Sequence, residues 1–222
     1  DIISAMFLCI GILSALRYRE LTGKGQKVDV AQQDSMLAVL ENAVIRYTLE
    51  GKIPTRIGAK HPTITPFDIF KCKDGYVVIG GGNDAIFKRM CDAIGKPEWV
   101  KDPRFDTNPH RTTNEAQLKP LIEAYTQDKT RWDVARLLLK YDVPSGPVYN
   151  VAEAVNDEHI KAREMIIEFT QPQYGKVRVA GCPIKMSETP AKIFTPAPLL
   201  GQHNEEIFTS LLGYTKKQGA QF

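Results

Sequence analysis

The 222-residue chain is poor in cysteine: Cys9, Cys72, Cys91 and Cys182 stand far apart and form no Cys-x-x-Cys pair. That spacing argues against a disulfide frame and a thiolate zinc site, and reads as buried thiols in a reducing cytoplasm. No metal centre is expected. An excess of one charge is lacking too, since 29 basic residues face 26 acidic ones for a formal net charge of +3. So even a balance gives no footprint for nucleic acid, though it leaves an anionic ligand unopposed. The sequence has no internal repeat and no low-complexity tract. Position 1 is Asp1 rather than methionine, and the chain reads as cut from a longer protein.

What is present begins with an uncharged run, Ile2 to Leu16, directly behind Asp1. It meets "RYRE" before reaching the about 20 apolar residues that a bilayer span needs. A carboxylate precedes it where a signal peptide carries positive charge. No membrane segment is expected. The run reads instead as a helix over residues 2–21, closed by Gly23 and buried on most sides by surfaces of a larger protein. With 43% hydrophobic residues, the chain is able to bury a core of its own.

Further along, "GQKVDVA" alternates Val28 and Val30 and predicts a short strand. Apolar spacing from Asp34 to about Leu49 predicts a second helix, and "EGKIPTRIGAKHPTITP" an irregular loop. "FDIFKCKDGYVVIGGG" predicts a hairpin around Asp74-Gly75. Helices follow from Asp84, from a capping box at Thr112 and Glu115, from Thr130, and from Asn150 with Glu153. Pro120 is expected to kink or delay the second of these. "MIIEFTQPQYGKVRVAG" predicts two more strands, and the chain ends in a helix after a proline-rich stretch. The fold class is therefore α/β. Residues 1–50 read as part of one domain, 51–65 as a linker or a loop carrying function, 66–148 as a small α+β domain, and 149–222 as a segment returning to the first.

In this order the pieces resemble class III CoA-transferases, the formyl-CoA and carnitine CoA-transferase family. The likeness is carried by Asp1 with Gly11 ten residues on, "RYRELTGKGQKVDVAQQDSML" and "GAKHPTITPFDIFKCKDGYVVI". It continues through "AIGKPEWVKDPRF" with "NPHRTTN", "VPSGPVYNVAEAVND", "GCPIKMS" and "PAPLLGQH". Each is weak alone; their common order is strong. The resemblance covers nearly all of this chain and about the C-terminal half of such an enzyme. It implies a missing N-terminal half that completes a Rossmann-like large domain, and a homodimer of interlocked rings. It also implies a cytoplasmic enzyme with no tightly bound cofactor, whose substrates are an acyl-CoA thioester and a carboxylic acid acceptor.

The same resemblance places the catalytic aspartate at Asp1, as a nucleophile that attacks the thioester and carries the acyl group as an anhydride. A helix N-terminus suits an ionised carboxylate, although Asp is also a common N-cap with no further role. In the family the loop "GAKHPTITP" lies over the active site, which makes His61, Pro62, Thr63 and Thr65 candidates for the acyl pocket. Formate- and oxalate-using members carry a glycine run there, so these residues argue for another acid. Gln32 falls near the CoA-binding region, and Arg17, Arg19, Lys24 and Lys27 are candidates for CoA phosphates. "GGGN" at 80–83 invites a phosphate reading, but the lysine of a Walker motif is missing and tight packing is the better account. His203 reads as structural, and His110 and His159 have no chemical company in the sequence.

Two other functions compete. Racemases acting on α-methylacyl-CoA share the family and use the aspartate with a histidine to exchange a proton. They carry glycines after that aspartate and a glutamate near the "GGGND" segment, where this chain has "IISA" and Asn83. The other is a folding or dimerisation module without activity of its own.

Overall fold

The uncharged run behind Asp1 forms helix α1, Ile2–Thr22, closed by Gly23 at φ 73, whose N–H donates to the Arg19 carbonyl. The coordinates are a computed structural model that describes residues 1–215 and 218. They fall into two units, Asp1–Thr63 and Ile64–Phe222.

In the first unit α1 is bare: Ile2 is 79% exposed, Leu13 60% and Leu21 68%. The surfaces expected to bury it are not supplied by residues 1–63. The helix ends at Thr22, within a residue of the expected end, and by length and composition alone it is long and apolar enough to cross a membrane. The core helix of a soluble protein meets the same criterion, so composition assigns neither role. The strand expected at Val28 and Val30 is not formed, because alternation needs a neighbour and residues 1–63 hold no second strand. The second helix is broken in two, α2 (Gln32–Ala38) and α3 (Ala43–Glu50). Between them Glu41 takes φ 53, a left-handed conformation that a continuous right-handed helix cannot contain. Residues 51–66 are irregular.

The second unit is built on a hairpin. Strands β1 (Phe67–Cys72) and β2 (Gly75–Gly80) pair antiparallel with Cys72 opposite Gly75, leaving Lys73-Asp74 as a two-residue turn. Strand β3 (Ser145–Pro147) adds to the other edge of β2, giving the order β1-β2-β3. Alternation puts Phe70, Cys72, Val77 and Ile79 into a dry interior. Four helices cover them: α4 (Asp84–Ala93), α5 (Asn108–Thr113), α6 (Glu115–Thr126) and α7 (Arg131–Lys140). They bring Phe87, Met90, Leu118, Ile122, Val134 and Leu138.

Two helices start at the predicted caps, Thr130 and Asn150, and a third starts at Asp84 as expected, with Asn83 as its cap. The Asn83 side chain accepts from Ile86 N–H, Thr130 from Asp133 N–H, and Asn150 with Glu153 closes a full capping box on α8 (Val151–Asn156). The box expected at Thr112 and Glu115 does not form, because α5 already occupies Thr112 and Asn114 precedes α6. Pro120 sits inside α6 without ending it. Beyond α9 (Glu158–Ala162), strands β4 (Ile166–Gln171) and β5 (Gly175–Ala180) form a second hairpin. The terminal helix is a short π-helical turn, Glu206–Leu211.

Arg131 staples three parts of this unit. Its N–H donates to Asp74 Oδ1 at 2.8 Å, and its guanidinium to the Val148 carbonyl and to Glu153 Oε1, each at 2.6 Å. The Arg131 guanidinium, followed by the Asn150 N–H, lowers the Glu153 carboxyl from 4.5 to about 2. Because the folded state holds the depressed value, the contribution is complete above pH 4.5 and is lost as pH falls towards about 2. The thermal midpoint is therefore expected to drop across that window, and to drop less in Glu153→Gln; equal profiles would refute the assignment.

Candidate functional site

Asp1 occupies the N-cap position of α1, but its side chain accepts no bond from a helix N–H. The carboxylate is instead met by Gln32, whose Nε2 donates to Asp1 Oδ1. The fold thus joins two of the predicted site residues from opposite ends of a helix-and-return segment. Free N–H groups of the first turn and the helix dipole favour the charged form of a carboxylate placed there. Gln32, expected near the CoA-binding region, has its side-chain amide on the acid.

The other candidates divide. His61 and Pro62 are half-buried and Thr63 is exposed. Thr63 N–H donates to His61 Nδ1 at 3.2 Å, which fixes the ring and, in neutral imidazole, leaves its proton on Nε2. Thr65 belongs to the second unit and is only 5% exposed. Its N–H donates to Asn108 Oδ1 at 3.0 Å, its carbonyl accepts from Arg111 at 2.7 Å, and its hydroxyl accepts from Thr112 at 3.3 Å. Thr65 is occupied by scaffold.

Arg111 is a residue that sequence reasoning passed over. It is fully buried, and its guanidinium lies 4.3 Å from the centre of the Phe87 ring. Besides Thr65 it donates to the carbonyls of Phe105 and Gly82, both at 3.0 Å, and to Asp84 Oδ1 at 2.8 Å. One side chain thereby ties the segment at 65 to the glycine loop at 80–83. The signal, an arginine in "NPHRTTN", looks like any surface cation.

That glycine loop is packing rather than a phosphate cradle. Gly80 N–H donates to the Pro144 carbonyl at 2.8 Å and Gly81 N–H to Pro66 at 2.7 Å, so neither amide is available to an anion. A Cβ at Gly82 would lie 1.9 Å from Ile64 Cγ2. Gly82→Ala is expected to destabilise the protein by about 1–3 kcal/mol through overpacking. In an Ile64→Ala background the penalty should shrink, since the clashing methyl is gone. Urea denaturation of the four proteins measures the coupling, and simple additivity would refute the close-packing account.

Of the four cations proposed for CoA, Arg17 pairs with Glu20 at 3.3 Å and Lys27 with Asp29 at 3.2 Å, both exposed. His110 does have company, Asp106 Oδ1 at 2.6 Å, which corrects the earlier reading. His203 lies 3.0 Å from Glu206. Cys72 and Cys91 are buried, and burial pushes the Cys91 thiol up to about 12; Cys9 is exposed and Cys182 half-buried, contrary to expectation. Among the described residues no group of three His, Cys, Asp or Glu side chains could hold a metal ion. A groove of about 720 Å³ beside β4, lined by Ile166, Phe169, Cys182, Ile184 and Met186, contains none of the predicted site residues.

Comparison with known proteins bears on this arrangement. The sequence profile of CoA-transferase family III matches residues 1–204. A succinyl-CoA–D-citramalate CoA-transferase of Chloroflexus aurantiacus is 38% identical over 97% of this chain and 54% of its own length. An acetyl-CoA:oxalate CoA-transferase of Acetobacter aceti is 41% identical over 84% of this chain and 47% of its own. A CaiB/BaiF family protein from Brucella suis has the same mixed α/β structure, with TM-score 0.74, 38% identity, and 94% of this chain against 54% of that one. The chain spans about half the length of the curated relatives it matches. A match from the first residue to position 204, through both units, is membership rather than likeness: the chain belongs to CoA-transferase family III.

Proposed function

We propose that the whole protein moves CoA from an acyl-CoA thioester to a carboxylic acid, with Asp1 as nucleophile. The observation that carries this reading is the family match through residue 1, supported by an Asp1 carboxylate that no helix amide consumes. In the proposed route an Asp1 oxygen attacks the thioester carbonyl carbon, the C–S bond breaks, and CoA leaves as thiolate. The thiolate then attacks the aspartyl carbonyl of the resulting anhydride, releasing the donor acid and leaving an aspartyl thioester. The acceptor carboxylate and the thiolate repeat these two steps in reverse order, which restores Asp1. No oxidant, metal or external base enters the balance.

The relatives named above act on citramalate and oxalate with succinyl- and acetyl-CoA, and a Haloarcula hispanica relative, 37% identical, on mesaconate. A dicarboxylic acceptor is the reading they support. Oxalate is among them, so the His61–Thr65 loop does not by itself exclude it. His61, Pro62 and Thr63 would line the acyl pocket, with His61 or Thr63 donating to the substrate. The expected setting is cytoplasmic, with a further half of the chain completing a Rossmann-like domain around α1 and two copies forming a homodimer.

Incubating the whole protein with succinyl-CoA and hydroxylamine tests the route. Modification at Asp1 supports it. Deuterium entering the α-carbon of a 2-methylacyl-CoA without any trapping would instead support a racemase. Activity appearing only when this chain is mixed with the remaining half would identify half of a split catalyst.

A further inference from the structure

Gly11 leaves no room for a side chain, since a Cβ there would lie 2.8 Å from Val28 Cγ1. Val28 is thereby seated against the third turn of α1. Back from Gly11 to Asp1 the helix rises about 15 Å, at about 1.5 Å per residue. From Val28 to Gln32 the chain, extended at Ala31 with φ −92 and ψ 145, advances about 13 Å at about 3.3 Å per residue. The two lengths match, so the contact at Gly11 sets where Gln32 arrives. The start of α2 is fixed as well: Ser35 is 3% exposed and its hydroxyl donates to the Ala31 carbonyl at 2.8 Å. Gln32 Nε2 then meets Asp1 Oδ1. A carboxylate only accepts, so it is the NH₂ end of the amide that faces it.

We propose that Gln32 is a positioning residue for Asp1, holding one carboxylate oxygen so that the other is presented to the thioester carbonyl. This rests on the reading of Asp1 as the nucleophile. The terminal torsion of an aspartate is broad, so an unheld carboxylate samples many orientations at the head of the helix. A charge-assisted bond to Oδ1 removes that freedom and leaves Oδ2 for attack. Misplacing a reacting group by about 1 Å costs on the order of a hundredfold in rate. The neighbour that looked like a cofactor contact in the sequence is, on this account, part of how the nucleophile is aimed.

The test uses the whole protein with succinyl-CoA and hydroxylamine, measuring free CoA by chromatography. Gln32→Ala is expected to slow CoA release about 10- to 100-fold, with the half-saturating succinyl-CoA within about twofold and the thermal midpoint retained. Gln32→Glu, which keeps the shape but replaces the donor by a like charge, should be slower still. A Gln32→Glu protein that releases CoA at the original rate, while Asp1→Ala does not, overturns the inference and leaves the nucleophile standing. So does a raised half-saturating concentration at unchanged maximal rate, which is the behaviour of a CoA contact. Release that continues in Asp1→Ala defeats the parent reading, and this inference with it.

Discussion

Asp1→Ala in the whole protein is expected to lower kcat for CoA exchange at least about a thousandfold while the thermal midpoint stays within a few degrees. The two halves of that expectation come from one observation. An N-cap side chain normally contributes about 1 kcal/mol by accepting from the first-turn amides. Asp1 makes no such bond, so its removal costs the helix little. Its carboxylate is by contrast the only route by which the acyl group could become covalently attached in the proposed scheme, and nothing replaces a deleted nucleophile. Asp1→Asn is the sharper variant, because it preserves shape while removing charge and nucleophilicity. Separation of the two CoA thioesters by chromatography gives the rate, and circular dichroism the midpoint. A variant with normal turnover ends the mechanism; one that is inactive because it has unfolded would contradict the uncapped geometry.

The largest stability effect is expected at Arg111. Arg111→Ala should destabilise the protein by about 3–5 kcal/mol, read from the urea midpoint. The substitution orphans the carbonyls of Thr65, Gly82 and Phe105, which now accept from a fully buried guanidinium. It also opens a void over the Phe87 ring. Asp84 is 62% exposed on its side chain and can rehydrate, so the loss is mainly one of buried acceptors rather than of an ion pair. Arg111→Lys should recover only a minority of the loss, because one ammonium cannot face three carbonyls and a carboxylate held in different directions. Full recovery by lysine would mean that charge alone matters there. With a typical domain stable by about 5–15 kcal/mol, Arg111→Ala brings the fold close to failure.

Features settled within a few residues were legible in the sequence. The hairpin expected around Asp74-Gly75, whose turn falls one residue earlier at Lys73-Asp74, the Thr130 cap and the Asn150–Glu153 box each need only their own neighbours. Features that need a distant partner were not. Val28 and Val30 carry strand periodicity, yet a strand requires an edge to pair with. Thr112 and Glu115 have capping spacing, but the preceding helix claims Thr112 and turns its hydroxyl to Thr65. Arg111 looks like a solvated cation until four acceptors from three segments converge on it. For the proposed site, Asp1 was singled out through the family resemblance. Its contact with Gln32 was not, because that depends on a glycine and a valine matching two lengths of backbone.

The buried hydrophobic core described lies wholly between Phe70 and Val143, and this arrangement bears on synthesis. Short connections make for rapid folding. A nascent chain emerging from the ribosome holds the whole of that interior well before its last residues are made. The hairpin and its four covering helices can close while the remainder is still being translated, giving later segments a solid body to assemble on.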